Sequence, residues 1–379
     1  MLPALSLHSS LRRRFSIAGG LLIMLLLLAP AARAQTGAVL DSVRAWVAGQ
    51  VAAQHVPGLS IAVVVHDELI WSEGFGFADL ESGDRAAGST IYRIGSVSKP
   101  VVGTALMQLV EAGRVDLDAE IQTYVPQFPR KRWPITVRHL LTHTSGIRHY
   151  RQDEFLSMTR YTDLVAPLAI FAADTLLFEP GTRYSYSTYA FNLVANIVAN
   201  VSGEPIEEYM RRHVYEPAWM NTTGLEDWTA IQPGRARWYE TRRGEWVNAP
   251  YVDLSNKYAG GGITSTVEDL CRLHIAYARG RVLRPRTIAR MYEPQTLADG
   301  TPHGYGLAWR VSEATLPDRS TARRVSHSGG SVGANTLFVR FPDRGFAVAV
   351  IANHSANLGR IVTGVLQLFF EAGAFGRQP

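Results

Sequence analysis

The sequence predicts an α/β chain of the α+β type: an antiparallel sheet built from both chain ends, flanked by helices, with a mostly helical region inserted between them. Three observations predict it. Near the N-terminus, Leu59 to His66 is an apolar run suited to a buried strand, Asp67-Glu68 makes a turn, and Leu69 to Phe77 returns antiparallel to it. Near the C-terminus, Ala334 to Phe341 and Phe346 to Ala352 are apolar strands joined by Pro342-Asp343-Arg344-Gly345, a hairpin signal. Between these ends, apolar residues recur at helical spacing.

The first segment stands outside the fold. Arg12, Arg13 and Arg14, the apolar run Ile17 to Leu28, and Ala32-Arg33-Ala34 have the layout of a signal peptide, so residues 1–34 are expected to be removed on export to a periplasmic or extracellular space. The apolar core is shorter than the roughly 18 residues a spanning helix needs. No stable membrane association is therefore expected once the segment is cleaved.

A helix from Ala38 to Gln54 precedes the first strand pair, and a second helix carries Val102, Ala105, Leu106, Leu109 and Val110. Tyr189 to Val201 has Ala190, Leu193, Val194, Ile197, Val198 and Val201 on one face, and Gly203 stops it. Pro205 opens the next helix, with Ile206, Tyr209, Met210 and Val214 inward and Pro217 beyond it. A Ser265-Thr266-Val267-Glu268 capping box starts the helix that holds Cys271, and Leu358 to Glu371 closes the chain. One domain over 35–379 follows, with 35–125 and 255–379 forming the sheet region and 126–254 the mostly helical region.

Charge and cysteine content narrow the function classes. The formal net charge is +5, and residues 1–34 hold four arginines and no acid, which leaves +1 for the mature chain. So near-neutral a chain gives no electrostatic footprint for nucleic acid. Cys271 is the lone cysteine, which excludes an intrachain disulfide and a cysteine-based zinc site; its helical context reads as a buried thiol.

The chemistry centres on Ser96-Val97-Ser98-Lys99. Positions i and i+3 share a helix face, so the Lys99 amine can reach the Ser96 hydroxyl and activate it without histidine. Pro100 is tolerated because first-turn N–H groups lack intrahelical partners. Lys99 must be neutral to accept a proton, although a free lysine titrates near roughly 10.4, so burial or nearby positive charge is required. With three lysines in the mature chain, an S-x-x-K arises by chance about one time in five. Its company gives it weight. Tyr186 lies on a loop between Pro180-Gly181 and the Tyr189 helix, where its hydroxyl can relay a proton, and His327-Ser328-Gly329-Gly330 offers a close-approach strand edge with an oxyanion-binding N–H.

Ser96-x-x-Lys99, Tyr186-Ser187-Thr188 and His327-Ser328-Gly329, in that order, resemble the serine β-lactamase and penicillin-binding-protein superfamily, particularly its class C branch. The stretch Ile135 to Gly146, ending His139-Leu140-Leu141-Thr142-His143-Thr144-Ser145-Gly146, is similar to that superfamily's helix-and-loop signature. Gly146 to Tyr150, Tyr186 to Thr188 and Tyr258 to Gly262 are similar to its mitochondrial serine β-lactamase-like branch, and the resemblance covers residues 38–372. It implies a β-lactamase/transpeptidase-like fold and an acyl-enzyme formed on Ser96, with Lys99 as base and Tyr186 as proton shuttle. The N–H groups of Ser96 and Gly330 would hold the oxyanion, and His327, Gly329 and Thr188 would meet the substrate. Neither cofactor nor metal is implied; a small molecule or peptide is the expected substrate, and self-association is open. Two departures matter: Thr188 stands where the family usually has asparagine, and His327 where it has the lysine that holds a β-lactam carboxylate. A peptidase or esterase is expected before an efficient β-lactamase.

Three rival readings carry less weight. Gly329, Ser331 and Gly333 match G-x-S-x-G, but that motif needs a strand, a sharp turn and then a helix, whereas a strand pattern follows here. His139, His143 and His149 cluster without H-E-x-x-H or a companion carboxylate set. A catalytically weak scaffold with a binding or self-assembly role has no need of Ser96, Lys99 and Tyr186 together.

Overall fold

A computed structural model describes residues 37–317 and 319–373; the expected signal peptide lies outside them. Among the described residues, eleven strands form three sheets. The main sheet has the order β2-β1-β11-β10-β9-β8. Its strands are β1 (Gly58–Val65), β2 (Glu68–Gly76), β8 (Arg310–Thr315), β9 (Thr321–Ser331), β10 (Ala334–Phe341) and β11 (Phe346–Ala352). All its pairings are antiparallel. The two chain ends meet where β1 pairs with β11, Leu59 opposite Ala352 and Val64 opposite Ala347. The expected α+β architecture, a sheet from both ends with helices on it, is borne out.

Every residue of β1 and β11 is buried, because helices cover both faces of the sheet. Alternation along the strands feeds two cores. Ile61 and Val63 of β1 and Val348 and Val350 of β11 face the first helix (37–53) and the C-terminal helix Leu358–Glu371. Ala62, Val64, Ala347, Ala349 and Ile351 face the helix Val267–Ala278 and the inserted helices.

Inserted between the sheet halves are the helices Ser98–Glu111, Val137–Leu141, Ala190–Ser202 and Ile206–Met210. The small sheet β3 (Tyr92–Arg93), β7 (Ile263–Ser265) and β4 (Gly224–Leu225) ties this region to the large sheet, and β5 (Tyr239–Arg242) and β6 (Glu245–Asn248) form a separate hairpin.

The sequence reading needs three local corrections. Thr266, not Ser265, caps the Val267 helix, its hydroxyl accepting from the Asp269 N–H. The helix opened at Pro205 continues through a π-turn at Arg211–Tyr215 and passes Pro217 before Trp219, at φ 59°, ends it. Pro217 sits near the start of the last helical segment, where its missing N–H costs little. His327 to Gly330 lie within a strand rather than before one; the polar and glycine residues of β9 break the apolar pattern that marks a strand.

Candidate active site

The candidate nucleophile, Ser96, sits on a turn that touches the sheet. Ser96 occupies a 3-10 turn, Gly95–Val97, leading directly into the helix Ser98–Glu111. Gly95 has φ 50°, and a Cβ there would lie 2.6 Å from the Gly330 carbonyl oxygen. From the other side, a Cβ on Gly329 would fall onto the Ile94 carbonyl and within 3.1 Å of the Ser96 nitrogen. Both glycines are thus required for the nucleophile turn to lie against β9. Gly330 is exposed beside it.

Lys99 is fully buried and has three oxygen partners. Its Nζ lies 3.0 Å from Ser96 Oγ, 3.1 Å from Thr188 Oγ1 and 2.6 Å from the Gly260 carbonyl. It also lies 4.8 Å from the centre of the Tyr186 ring. Among the described residues no carboxylate pairs with Lys99. Burial holds its pKa well below the ordinary lysine value, and the positive charge of Lys257 lowers it further. A neutral amine fits these partners: two N–H bonds to Thr188 and Gly260 leave the lone pair for the Ser96 proton.

Tyr186 is fixed by a loop laced to the His143–His149 segment. The Ser185 N–H donates to the His143 carbonyl, the Ser187 N–H to His143 Nδ1, the Ser187 hydroxyl to the Arg148 carbonyl and the Thr188 N–H to His149 Nδ1. Arg148 anchors that segment through ion pairs to Glu154 at 2.6 Å and Asp174 at 2.5 Å. The His143 ring packs on Tyr186 at 4.2 Å between centroids. Burial raises the Tyr186 phenol above its ordinary range, and the nearby Ser96 hydroxyl opposes that rise. No hydrogen bond closes between the two, so the Tyr186 hydroxyl stands unpartnered.

His327 is spoken for. Its Nδ1 donates to the Ser328 carbonyl at 2.7 Å, and its Nε2 accepts from the Tyr305 hydroxyl at 2.7 Å. Burial, then the positive charge of Lys99, pushes its pKa down to about 3. Both ring nitrogens of His327 are thus engaged by the protein.

The structure brings Ser96, Lys99, Tyr186, Thr188, His327, Gly329 and Gly330 into one cleft. Sequence reasoning missed Tyr305, the Gly260 carbonyl and Lys257. Lys257 is buried, donates to the Phe155 carbonyl at 2.8 Å, and has its pKa lowered to about 8, first by burial and then by Arg93. The available signals were glycines: a Cβ on Gly260 would fall onto the Thr188 side chain, and Tyr305 lies between Gly304 and Gly306.

The rival motifs part ways here. Ser331 ends β9 and Ala334 starts β10, so Gly333, at φ 67°, turns a hairpin rather than a strand-to-helix elbow. The Thr136 side chain and His139 cap Val137–Leu141 reciprocally. Among the described residues no group of three or more His, Cys, Asp or Glu is placed to hold a metal ion. Cys271 is buried, and burial raises its pKa to about 12. None of the described helices is long and apolar enough to cross a membrane.

Known proteins resemble this chain in sequence and in fold. The family model described as Beta-lactamase matches residues 43–363. The serine beta-lactamase-like protein LACTB, mitochondrial, of Homo sapiens is 29% identical over an alignment spanning 78% of this chain and 73% of that protein. The octameric penicillin-binding protein homologue from Pyrococcus abyssi superposes with a TM-score of 0.74 at 26% identity, covering 90% of this chain and 78% of that one. The D-amino acid amidase from Ochrobactrum anthropi superposes with a TM-score of 0.76 at 22% identity, over 88% of this chain and 99% of that one, a likeness of fold.

Proposed function

The chain belongs to the beta-lactamase family, and on that premise we propose that it is an exported serine hydrolase acting through an acyl-enzyme on an amide or ester, a peptidase or esterase before an efficient β-lactamase. The observation that carries this is the buried Lys99 amine, which has no carboxylate partner among the described residues and lies 3.0 Å from Ser96 Oγ. Ser96 Oγ attacks the substrate carbonyl carbon as its proton passes to Lys99. The oxyanion is met by the Ser96 and Gly330 N–H groups, a contribution of roughly 10²–10³ in rate per donor. As the tetrahedral intermediate collapses, Lys99 returns its proton through Tyr186 to the leaving nitrogen or oxygen. Water then cleaves the ester on Ser96 by the same route in reverse. Neutral His327 and the short Thr188 side chain support the preference against β-lactams, since neither offers the charge or amide that the family uses to hold them.

A second reading, self-assembly on a catalytically weak fold, draws on one observation: the similar Pyrococcus abyssi protein is octameric. Intact-protein mass spectrometry separates the two. Wild type and Ser96→Ala are exposed to an activated ester and to a fluorescent penicillin. An adduct on wild type alone, mapped to Ser96, supports the hydrolase. Absence of any adduct and of turnover, with concentration-dependent assembly, supports the scaffold.

A further inference from the structure

The outer face of the sheet is only partly covered. The C-terminal helix packs on β10 and β11, and β9 and β8 extend beyond it to the sheet edge. The space between is a groove of about 720 Å³ walled by Leu316, Leu337, Phe341, Val362 and Leu366. It is far from Ser96 in the layering of the fold, because these residues belong to the core on the opposite face of the sheet from the catalytic helix.

In this groove, whose apolar wall is bordered by Thr315, Thr363, Gln367 and Glu371, stands Arg324 of β9, opposite Ser312 of β8. Its Nε is buried and has no hydrogen-bond partner. Among the described residues no carboxylate lies within ion-pair distance of its guanidinium. Among the described lining residues the one acid, Glu371, accepts instead from Gln367. Burial without compensation lowers the Arg324 pKa. Buried polar groups in folded proteins are nearly always paired, so an unpaired Arg324 Nε–H beside the leucine and phenylalanine wall is the complement of an anion that brings its own apolar body.

We propose that this groove binds an aliphatic carboxylate of the fatty-acid type, its head group on Arg324 and its chain along the C-terminal helix. The lining runs along that helix from Gly359 to Glu371, about 18 Å at the α-helical rise. The volume falls in the range of small-molecule sites. A carboxylate on the arginine fork restores the missing partner and adds a charge-assisted bond, while the chain covers leucine and phenylalanine surface that the helix leaves open.

The test is calorimetric titration of the full chain, in the Ser96→Ala background, with dodecanoate below its micelle concentration and with dodecyltrimethylammonium as the charge-reversed probe. Saturable one-site binding of dodecanoate, and little of the cation, is expected. Arg324→Gln should weaken dodecanoate by about tenfold or more. Leu366→Asp, which leaves Arg324 in place, should do the same. In the Ser96-containing chain both variants should stay folded and keep the activated-ester turnover, neither residue being part of the catalytic site; Leu366 packs on the core, so Leu366→Asp should lower the thermal midpoint. Should Arg324→Gln fail to fold, the Leu366→Asp result and the preference for the anion over the cation decide. The proposal is overturned by equal binding of the two probes, by unchanged affinity in a folded Arg324→Gln, by absence of saturable binding, or by a concentration-dependent dimer that Leu366→Asp dissolves.

Discussion

The Tyr305 hydroxyl donates to His327 Nε2 at 2.7 Å, and with Nδ1 already bound to the Ser328 carbonyl the imidazole has a fixed tautomer and no free nitrogen. Residues 22 positions apart thus set the electrostatics of the strand beside Ser96: where a charged side chain would repel a proton from Lys99, a neutral ring stands.

Tyr305→Phe removes that donor and leaves Nε2 without its partner. Loss of a hydrogen bond of this kind costs about 1–2 kcal/mol, so kcat/KM for an activated ester should fall by roughly tenfold with little change in fold. Because burial already holds His327 at about 3, the wild-type pH profile should show no inflection from it near 6.5. A wild-type inflection there that Tyr305→Phe abolishes would contradict the neutral assignment.

If Lys99 is the general base of the proposed reaction, Lys99→Met should reduce acylation by about 10³-fold or more. Its effect on stability should differ in sign from its effect on activity. The Lys99 pKa is lowered in the folded protein, so between that value and the unfolded one the unfolded chain binds a proton that the folded chain does not. Wild-type stability therefore rises with pH across that window, and Lys99→Met should flatten the rise. Urea unfolding at a series of pH values measures it.

Lys257→Met tests the coupling of the two buried lysines. The Lys257 charge disfavours protonation of Lys99, so removing it should move the acid limb of kcat/KM to higher pH, while Lys257→Arg should hold it. Lys257 itself has a pKa of about 8, so variant and wild type should converge as the pH rises past that value. Stopped-flow acylation across the pH range is the measurement.

Gly329→Ala places a methyl group against the Ile94 carbonyl and beside the Ser96 nitrogen. Overpacking of this kind costs about 1–3 kcal/mol, and the strain falls on the nucleophile turn. Ester turnover should therefore drop further than the thermal midpoint suggests. Ser331→Ala, two residues on, should leave turnover intact, since Ser331 ends a strand and takes no part in an elbow.

Much of this was legible in the chain order. The hairpins near the chain ends announced themselves because β1, β10 and β11, the central strands, are apolar over most of their length, as strands with covered faces must be. Ser96 and Lys99 were legible because both belong to one local turn, where spacing alone fixes proximity. Strand β9 was hidden: Arg323, Arg324, Ser326 and Gly329 serve the surface and the cleft, and their pattern is not a core pattern.

The sequence by itself determined the hairpins near the two chain ends, the serine–lysine pair and the tyrosine loop, because each is written within a few consecutive residues. Only the tertiary structure decided what surrounds Lys99. Gly260, Thr188 and Lys257 reach it from segments about 90 to 160 residues away, and Tyr305 reaches His327 from another. Desolvation and Coulomb coupling depend on distance in space, and only the folded chain brings those groups into one dry cleft.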